Sequence, residues 1–162
     1  MIAQLRPLTI PLILNDHVDL AKEVDADGIH LGQSDCSPIE ARQILGPNKL
    51  IGWSVETFEQ LEQANECSCI DYIAASAVFL SQTKTNCKTI WGLEGLKKIA
   101  QHSIHPVIAI GGINVGNVRS VMKAGAAGVA VISAIYDHPQ PEQAAQSLIQ
   151  EINKGISYVS AD

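Results

Sequence analysis

The chain has 162 residues, 46% of them hydrophobic and 17% charged, the size and make-up of one globular domain. Eleven Lys and Arg against 17 Asp and Glu give a net charge of −6 with no basic cluster, which argues against nucleic acid or an anionic membrane as the main partner. No apolar run approaches the roughly 18 residues of a membrane span, and the opening MIAQLRPLTIPLILND lacks a signal-peptide pattern. Cys36, Cys67, Cys69 and Cys87 form no CxxC pair, and Cys67-Ser68-Cys69 has the wrong spacing for an ordinary zinc knuckle, so it reads as structural.

In chain order, short β-branched runs occur at Ile10–Leu14, Gly28–Leu31, Leu50–Trp53, Ile70–Ala75, Val107–Ile110 and Gly128–Ile132. Between them the apolar residues adopt helical spacing: Val18, Leu20, Ala21 and Val24; Ile39, Ala41, Ile44 and Leu45; Phe58, Leu61 and Ala64. The pattern continues with Leu93, Leu96, Ile99 and Ala100; Val118, Val121, Met122 and Ala124; and Ala144, Ala145, Leu148 and Ile152. Apolar runs alternating with amphipathic helices predict a parallel sheet covered on its outer face. One domain is expected over residues 1–155, followed by a tail over 156–162. Six units are fewer than a closed (β/α)₈ barrel needs and would fit a doubly wound open sheet. Period alone does not separate the two.

The strand ends do separate them. Asn15-Asp16 closes the first run, Gly32-Gln33 with Asp35 the second and Ser54 the third. The loop after the fourth carries Ser81, Gln82, Thr83 and Lys84, Gly111-Gly112 closes the fifth, and Ser133 closes the sixth. In a barrel the βα loops converge on one mouth, whereas an open sheet uses only the strands beside its switch point. Polar endings on all six favour the barrel-type ring. Asp16 and Asp35, two carboxylates at neighbouring strand ends, suit a shared Mg²⁺. They equally suit a helix cap and a turn. Gly111-Gly112 before a helix suits close approach to a phosphate, or merely a tight turn. The hydroxyls and ammonium of Ser81–Lys84 suit phosphate oxygens, although spacing alone favours a solvated loop. His17 and His30 read as structural or rim residues, and Trp53 and Trp91 as packing.

At this point the residues resemble the thiamine-phosphate synthase family. The stretches that carry the resemblance are IPLILND (10–16), DGIHLGQSD (27–35), ARQILGPNKLIGWS (41–54), DYI (71–73), VFLSQTK (78–84), GLEGL (92–96), PVIAIGGIN (106–114) and AGAAGVAVISAI (124–135). The resemblance implies a TIM (β/α)₈-barrel fold, incomplete here, with about six βα units and the first two missing. It implies a Mg²⁺-dependent transferase of thiamine biosynthesis that joins a hydroxymethylpyrimidine diphosphate to a thiazole phosphate and releases pyrophosphate. By motif, Asp16 and Asp35 resemble the metal ligands. Asn15, Ser54 and Lys84 resemble the pyrimidine-diphosphate contacts, with Lys84 and Ser54 closest to the chemistry. Ser81, Gln82, Thr83, Gly112, Ile132 and Ser133 resemble the thiazole-phosphate contacts. A cytoplasmic location goes with this reading.

The family's Gln-x-Arg-x-Lys motif has only a partial echo in Gln4-Leu5-Arg6, which here reads as the end of a helix before the first strand. Glu56 stands where relatives often carry His, and Ser76-Ala77 where Gly-Pro is common. Three expectations follow: weak catalysis, strand edges that invite self-association, and two alternatives to the synthase. The first alternative is a thiazole tautomerase with Glu56 as general base. The second is a non-catalytic binder of thiazole phosphate.

Overall fold

The structure, a computed structural model, describes residues 2–80 and 88–159. A short helix α1 (Ile2–Leu5) and a 3-10 turn (Arg6–Leu8) lead into β1 (Ile13–Asn15). The alternation then runs α2 (Val18–Glu23), β2 (Gly28–Leu31), α3 (Pro38–Leu45), β3 (Leu50–Val55), α4 (Phe58–Glu66) and β4 (Tyr72–Ser76). It ends with α5 (Gly92–His102), β5 (Val107–Ile110), α6 (Val118–Lys123), β6 (Gly128–Ala130), α7 (Ser133–Tyr136) and α8 (Pro141–Val159). The six strands pair in parallel and in the order of the chain, β1 to β6. A doubly wound sheet reverses its strand order at a switch point, so this unbroken winding is that of a (β/α) barrel. Among the described residues β1 and β6 do not pair with one another, and the sheet is an open arc of a barrel.

Side chains alternate across each strand, which gives the arc an outer and an inner face. Ile29 and Leu31 of β2, Ile51 and Val55 of β3, Ile73 of β4 and Ala109 of β5 are fully buried, and they pack with Leu61, Leu96, Ile99, Val118 and Val121 from the helices. The helix starts are built locally. The Ser37 and Thr57 hydroxyls each accept the amide three residues on, and their own amides donate to the side-chain oxygens of Glu40 and Gln60 in return, forming capping boxes for α3 and α4. Trp91 stacks edge-on against Phe58 with centroids 5.2 Å apart, the packing role expected of it. Cys67 and Cys69 are joined as a disulfide.

Several boundaries differ from the sequence reading. β1 begins at Ile13 rather than Ile10. Pro11 has no N–H for the ladder, and the Leu12 amide donates to the Asp27 carboxylate at 2.8 Å. β6 stops at Ala130, because Ile132 turns into the N-cap of α7 and lies 58% exposed. The final helix runs to Val159, so the tail expected from residue 156 falls partly inside α8. The helix expected at Gln4–Arg6 is present as α1 and the 3-10 turn.

Candidate active site at the carboxyl ends of the strands

Asn15 ends β1, and the chain then turns sharply at Asp16, whose φ is +66°. That left-handed conformation disfavours any residue but Gly, Asn or Asp. The turn rules out one reading of the sequence. Asp16 does not cap α2: the N-cap is His17, and no side chain closes it. The Asp16 carboxylate instead accepts a hydrogen bond from Asn15 Nδ2 at 2.5 Å and lies against the carboxyl of Asp35. Asp35 comes from the loop after β2, where its Oδ2 also accepts the Gly32 amide at 2.6 Å. Burial, followed by the neighbouring Asp35 carboxyl, pushes the Asp16 pKa above the ordinary carboxylate range. Among the described residues neither Asp16 nor Asp35 forms a salt bridge with Lys or Arg. Two carboxyls held together in this way suit a hard divalent cation, which takes carboxylate oxygens readily and leaves its other positions to water or phosphate.

Ser54, at the end of β3, is buried beside this pair of loops, and its carbonyl accepts Gln33 Nε2 at 2.6 Å. Its hydroxyl lies 2.9 Å from His30 Nε2. Farther along the rim, a cavity of about 130 Å³ is lined by Ser76, Ala77, Gly111, Gly112, Ile132 and Ser133, with Ile110, Ile113, Ala130 and Val131 completing its wall. Gly112 has φ +63°, and a Cβ there would stand 2.5 Å from the Leu80 carbonyl oxygen. The chain leaving β4 therefore passes directly over the end of β5, with the Phe79 amide donating to the Gly111 carbonyl at 3.1 Å. Only a residue without a side chain permits that approach. The cavity is lined mainly by aliphatic and glycine residues, with Ser76 and Ser133 as its hydroxyl-bearing members.

The structure thus brings Asn15, Asp16, Asp35 and Ser54 to one part of the rim, and Gly112, Ile132 and Ser133 to another. Ser81, Gln82, Thr83 and Lys84 lie outside the described residues. Glu56 is buried at the start of α4, and its amide donates to Gln60 Oε1 at 2.6 Å. His30, read from the sequence as a structural or rim residue, has side-chain partners that the sequence did not identify. It joins Ser54 to Tyr72, whose hydroxyl lies 3.1 Å from His30 Nδ1. The available signal was the alternation within β2, where His30 interrupts two fully buried aliphatics, Ile29 and Leu31.

A parallel (β/α) arc with acidic, hydroxyl and glycine-backed groups gathered on its carboxyl rim defines an enzyme of the TIM-barrel type. The comparisons carry this further: the family model described as thiamine monophosphate synthase matches residues 1–135, and the chain belongs to that family. It is 43% identical over 152 residues to a thiamine-phosphate synthase of Chlamydia caviae, covering 94% of this chain and 71% of that protein. A thiamine-phosphate synthase of Vibrio parahaemolyticus is 49% identical over 140 residues, covering 86% and 68%. Among solved structures, a thiamine phosphate pyrophosphorylase from Pyrococcus furiosus superposes with a TM-score of 0.86 at 36% identity, covering 95% of this chain and 73% of that one.

Proposed function

We propose that the rim binds hydroxymethylpyrimidine diphosphate and thiazole phosphate and transfers the pyrimidine methylene to the thiazole nitrogen. The products are thiamine phosphate and pyrophosphate. The observation that carries this reading is the contact between the Asp16 and Asp35 carboxyls at the same strand ends that carry Asn15 and Ser54. Asp16 and Asp35 would hold Mg²⁺, which supplies charge neutralisation at the diphosphate when bound. Asn15, whose amide already restrains Asp16, and Ser54 sit where they can take diphosphate or pyrimidine atoms. The cavity backed by Gly112, Ile132 and Ser133 takes the thiazole phosphate. Lys84 is assigned to the departing pyrophosphate, and Ser81, Gln82 and Thr83 to the thiazole phosphate, by the family resemblance.

In the reaction the bond between the pyrimidine methylene and the diphosphate oxygen breaks, and its electron pair leaves with pyrophosphate. The lone pair of the thiazole nitrogen then forms the new C–N bond. No covalent enzyme nucleophile is required, because fixed charges and positioning supply the stabilisation. Substrates this small and charged suit the cytoplasm. Among the described residues β1 and β6 are the edges of the sheet, and such edges support self-association of the chain. A single monomeric species in sedimentation would count against that part.

Calorimetry with each substrate, with and without Mg²⁺, tests the assignment alongside a pyrophosphate-release assay. Mg²⁺-dependent binding of the pyrimidine diphosphate and release of pyrophosphate on adding thiazole phosphate are expected. Binding of thiazole phosphate alone would replace the transferase with a simple binder.

A further inference from the structure

The inner face of the arc holds a row of hydrogen-bonded side chains below the rim. Strand register sets His30 of β2, Gly52 of β3 and Tyr72 of β4 side by side. A Cβ on Gly52 would overlap the Tyr72 ring, so the missing side chain is what lets that ring lie across β3. The ring reaches His30 and stacks on it, with centroids 5.6 Å apart and planes 23° from parallel. The Tyr72 hydroxyl is 3.1 Å from His30 Nδ1, and His30 Nε2 is 2.9 Å from Ser54 Oγ. Gln33 Nε2 holds the Ser54 carbonyl at 2.6 Å and so fixes the backbone that carries the hydroxyl.

A neutral imidazole carries one proton, so only one of its nitrogens donates. In one arrangement Tyr72 donates to Nδ1 and the Nε2–H donates to Ser54. In the other both directions reverse, and the Ser54 proton is spent on His30. The phenol is much the more acidic donor of the two, and burial keeps Tyr72 protonated by raising its pKa. The first arrangement is therefore favoured. It leaves the Ser54 proton free to turn towards the rim.

We propose that Tyr72 and His30 are positioning residues: the Tyr72 hydroxyl fixes His30 as the Nε2–H tautomer, and that N–H turns the Ser54 hydroxyl into a donor aimed at an acceptor atom of the diphosphate substrate. This rests on reading the rim beside Ser54 as the pyrimidine-diphosphate site.

The test uses the full chain labelled with ¹⁵N-histidine. The wild type is expected to show His30 with a pyridine-type Nδ1, and Tyr72→Phe to show both tautomers. In calorimetry with Mg²⁺, Tyr72→Phe should weaken pyrimidine-diphosphate binding about three- to tenfold, the size of one hydrogen bond, and leave thiazole-phosphate binding unchanged. Adding His30→Gln to Tyr72→Phe should restore the lost affinity, because an amide N–H reaches Ser54 without choosing a tautomer. A wild-type ring protonated on Nδ1, or unchanged diphosphate affinity in Tyr72→Phe, overturns the proposal. If the wild type binds no pyrimidine diphosphate at all, the reading of the rim fails, and the two tautomer measurements still decide the hydrogen-bond relay.

Discussion

The aspartates at the two ends of the strands live in opposite electrostatic conditions. At the amino ends Asp25, Asp27 and Asp71 each accept hydrogen bonds, and two of the three are paired with Lys or Arg. Asp25 takes Lys49 Nζ at 2.6 Å and Arg6 Nη2 at 2.5 Å, Asp27 takes the Leu12 amide, and Asp71 takes the Ile51 amide and Arg42 Nη2, each at 2.8 Å. Hydrogen bonds from Lys49 and Arg6 hold the Asp25 carboxyl below its ordinary pKa. At the carboxyl ends Asp16 faces Asp35, and its pKa is raised. The amino rim spends its acidic residues on tying one strand start to the next. Among the described residues the carboxyl rim sets two of them against each other with no Lys or Arg salt bridge, an arrangement that would suit a cation-dependent site.

The largest break in this contrast comes from removing one of the two facing carboxyls at the carboxyl rim. Asp16→Asn or Asp35→Asn should lower Mg²⁺-dependent turnover by about 10²–10³-fold, the usual cost of losing a preorganised electrostatic group. For Asp16→Asn, stability without metal should hold or rise. A carboxyl whose pKa is raised by folding is a carboxylate that the fold destabilises near neutrality, so deleting its charge removes that penalty. Mg²⁺ should raise the Tm of the wild type and leave both variants unmoved. Equal Tm shifts in all three proteins would place the ion elsewhere.

At the cavity proposed for the thiazole phosphate, Gly112→Ala sharpens the comparison, because the close approach there is one of backbone rather than charge. An alanine at φ +63° costs about 1–2 kcal/mol, and its Cβ would press on the Leu80 carbonyl besides. A lowered Tm, lost thiazole-phosphate binding and retained Mg²⁺ binding are expected together. The amino rim should respond the other way. Arg42 donates to the carbonyls of Gly46, Lys49 and Cys69 as well as to Asp71. Arg42→Met should cost about 1–3 kcal/mol in denaturant unfolding, since part-buried acceptors lose their donor, while substrate affinities stay put.

How much of this could be read from residues alone varies from strand to strand. Gly28–Leu31 and Val107–Ile110 were legible end to end, because their β-branched runs meet turn residues on both sides. The end of Gly128–Ile132 misled, since an apolar run does not show where strand gives way to helix, and the short α7 has no capping side chain to announce it. The polar strand endings pointed to the rim, but excluding Asp16 as the cap of α2 took the backbone itself, where His17 is the N-cap and Asp16 has a positive φ. The link from Tyr72 through His30 to Ser54 was out of reach. It joins three strands through their register and through the gap at Gly52, and neither has any local sequence signature.

The finest test of the two rims is Asp25→Asn. The side chain is exposed, so its ion pairs are screened and the effect on Tm should be small, shrinking further at high salt. Asparagine tolerates the φ of +53° at this position, which keeps backbone strain out of the comparison. The sign is set by the lowered pKa: the carboxylate contributes stability above its unfolded pKa, and the contribution is lost as pH falls through the folded value. The wild type should therefore exceed the variant by a constant margin from about pH 5 to 8, and the margin should close below about pH 4. A margin that persists in acid would mean that Lys49 and Arg6 act through packing rather than charge. Mg²⁺ affinity should be identical in the two proteins, because Asp25 lies at the opposite end of the strands from Asp16 and Asp35, and any change there would show the two ends to be coupled.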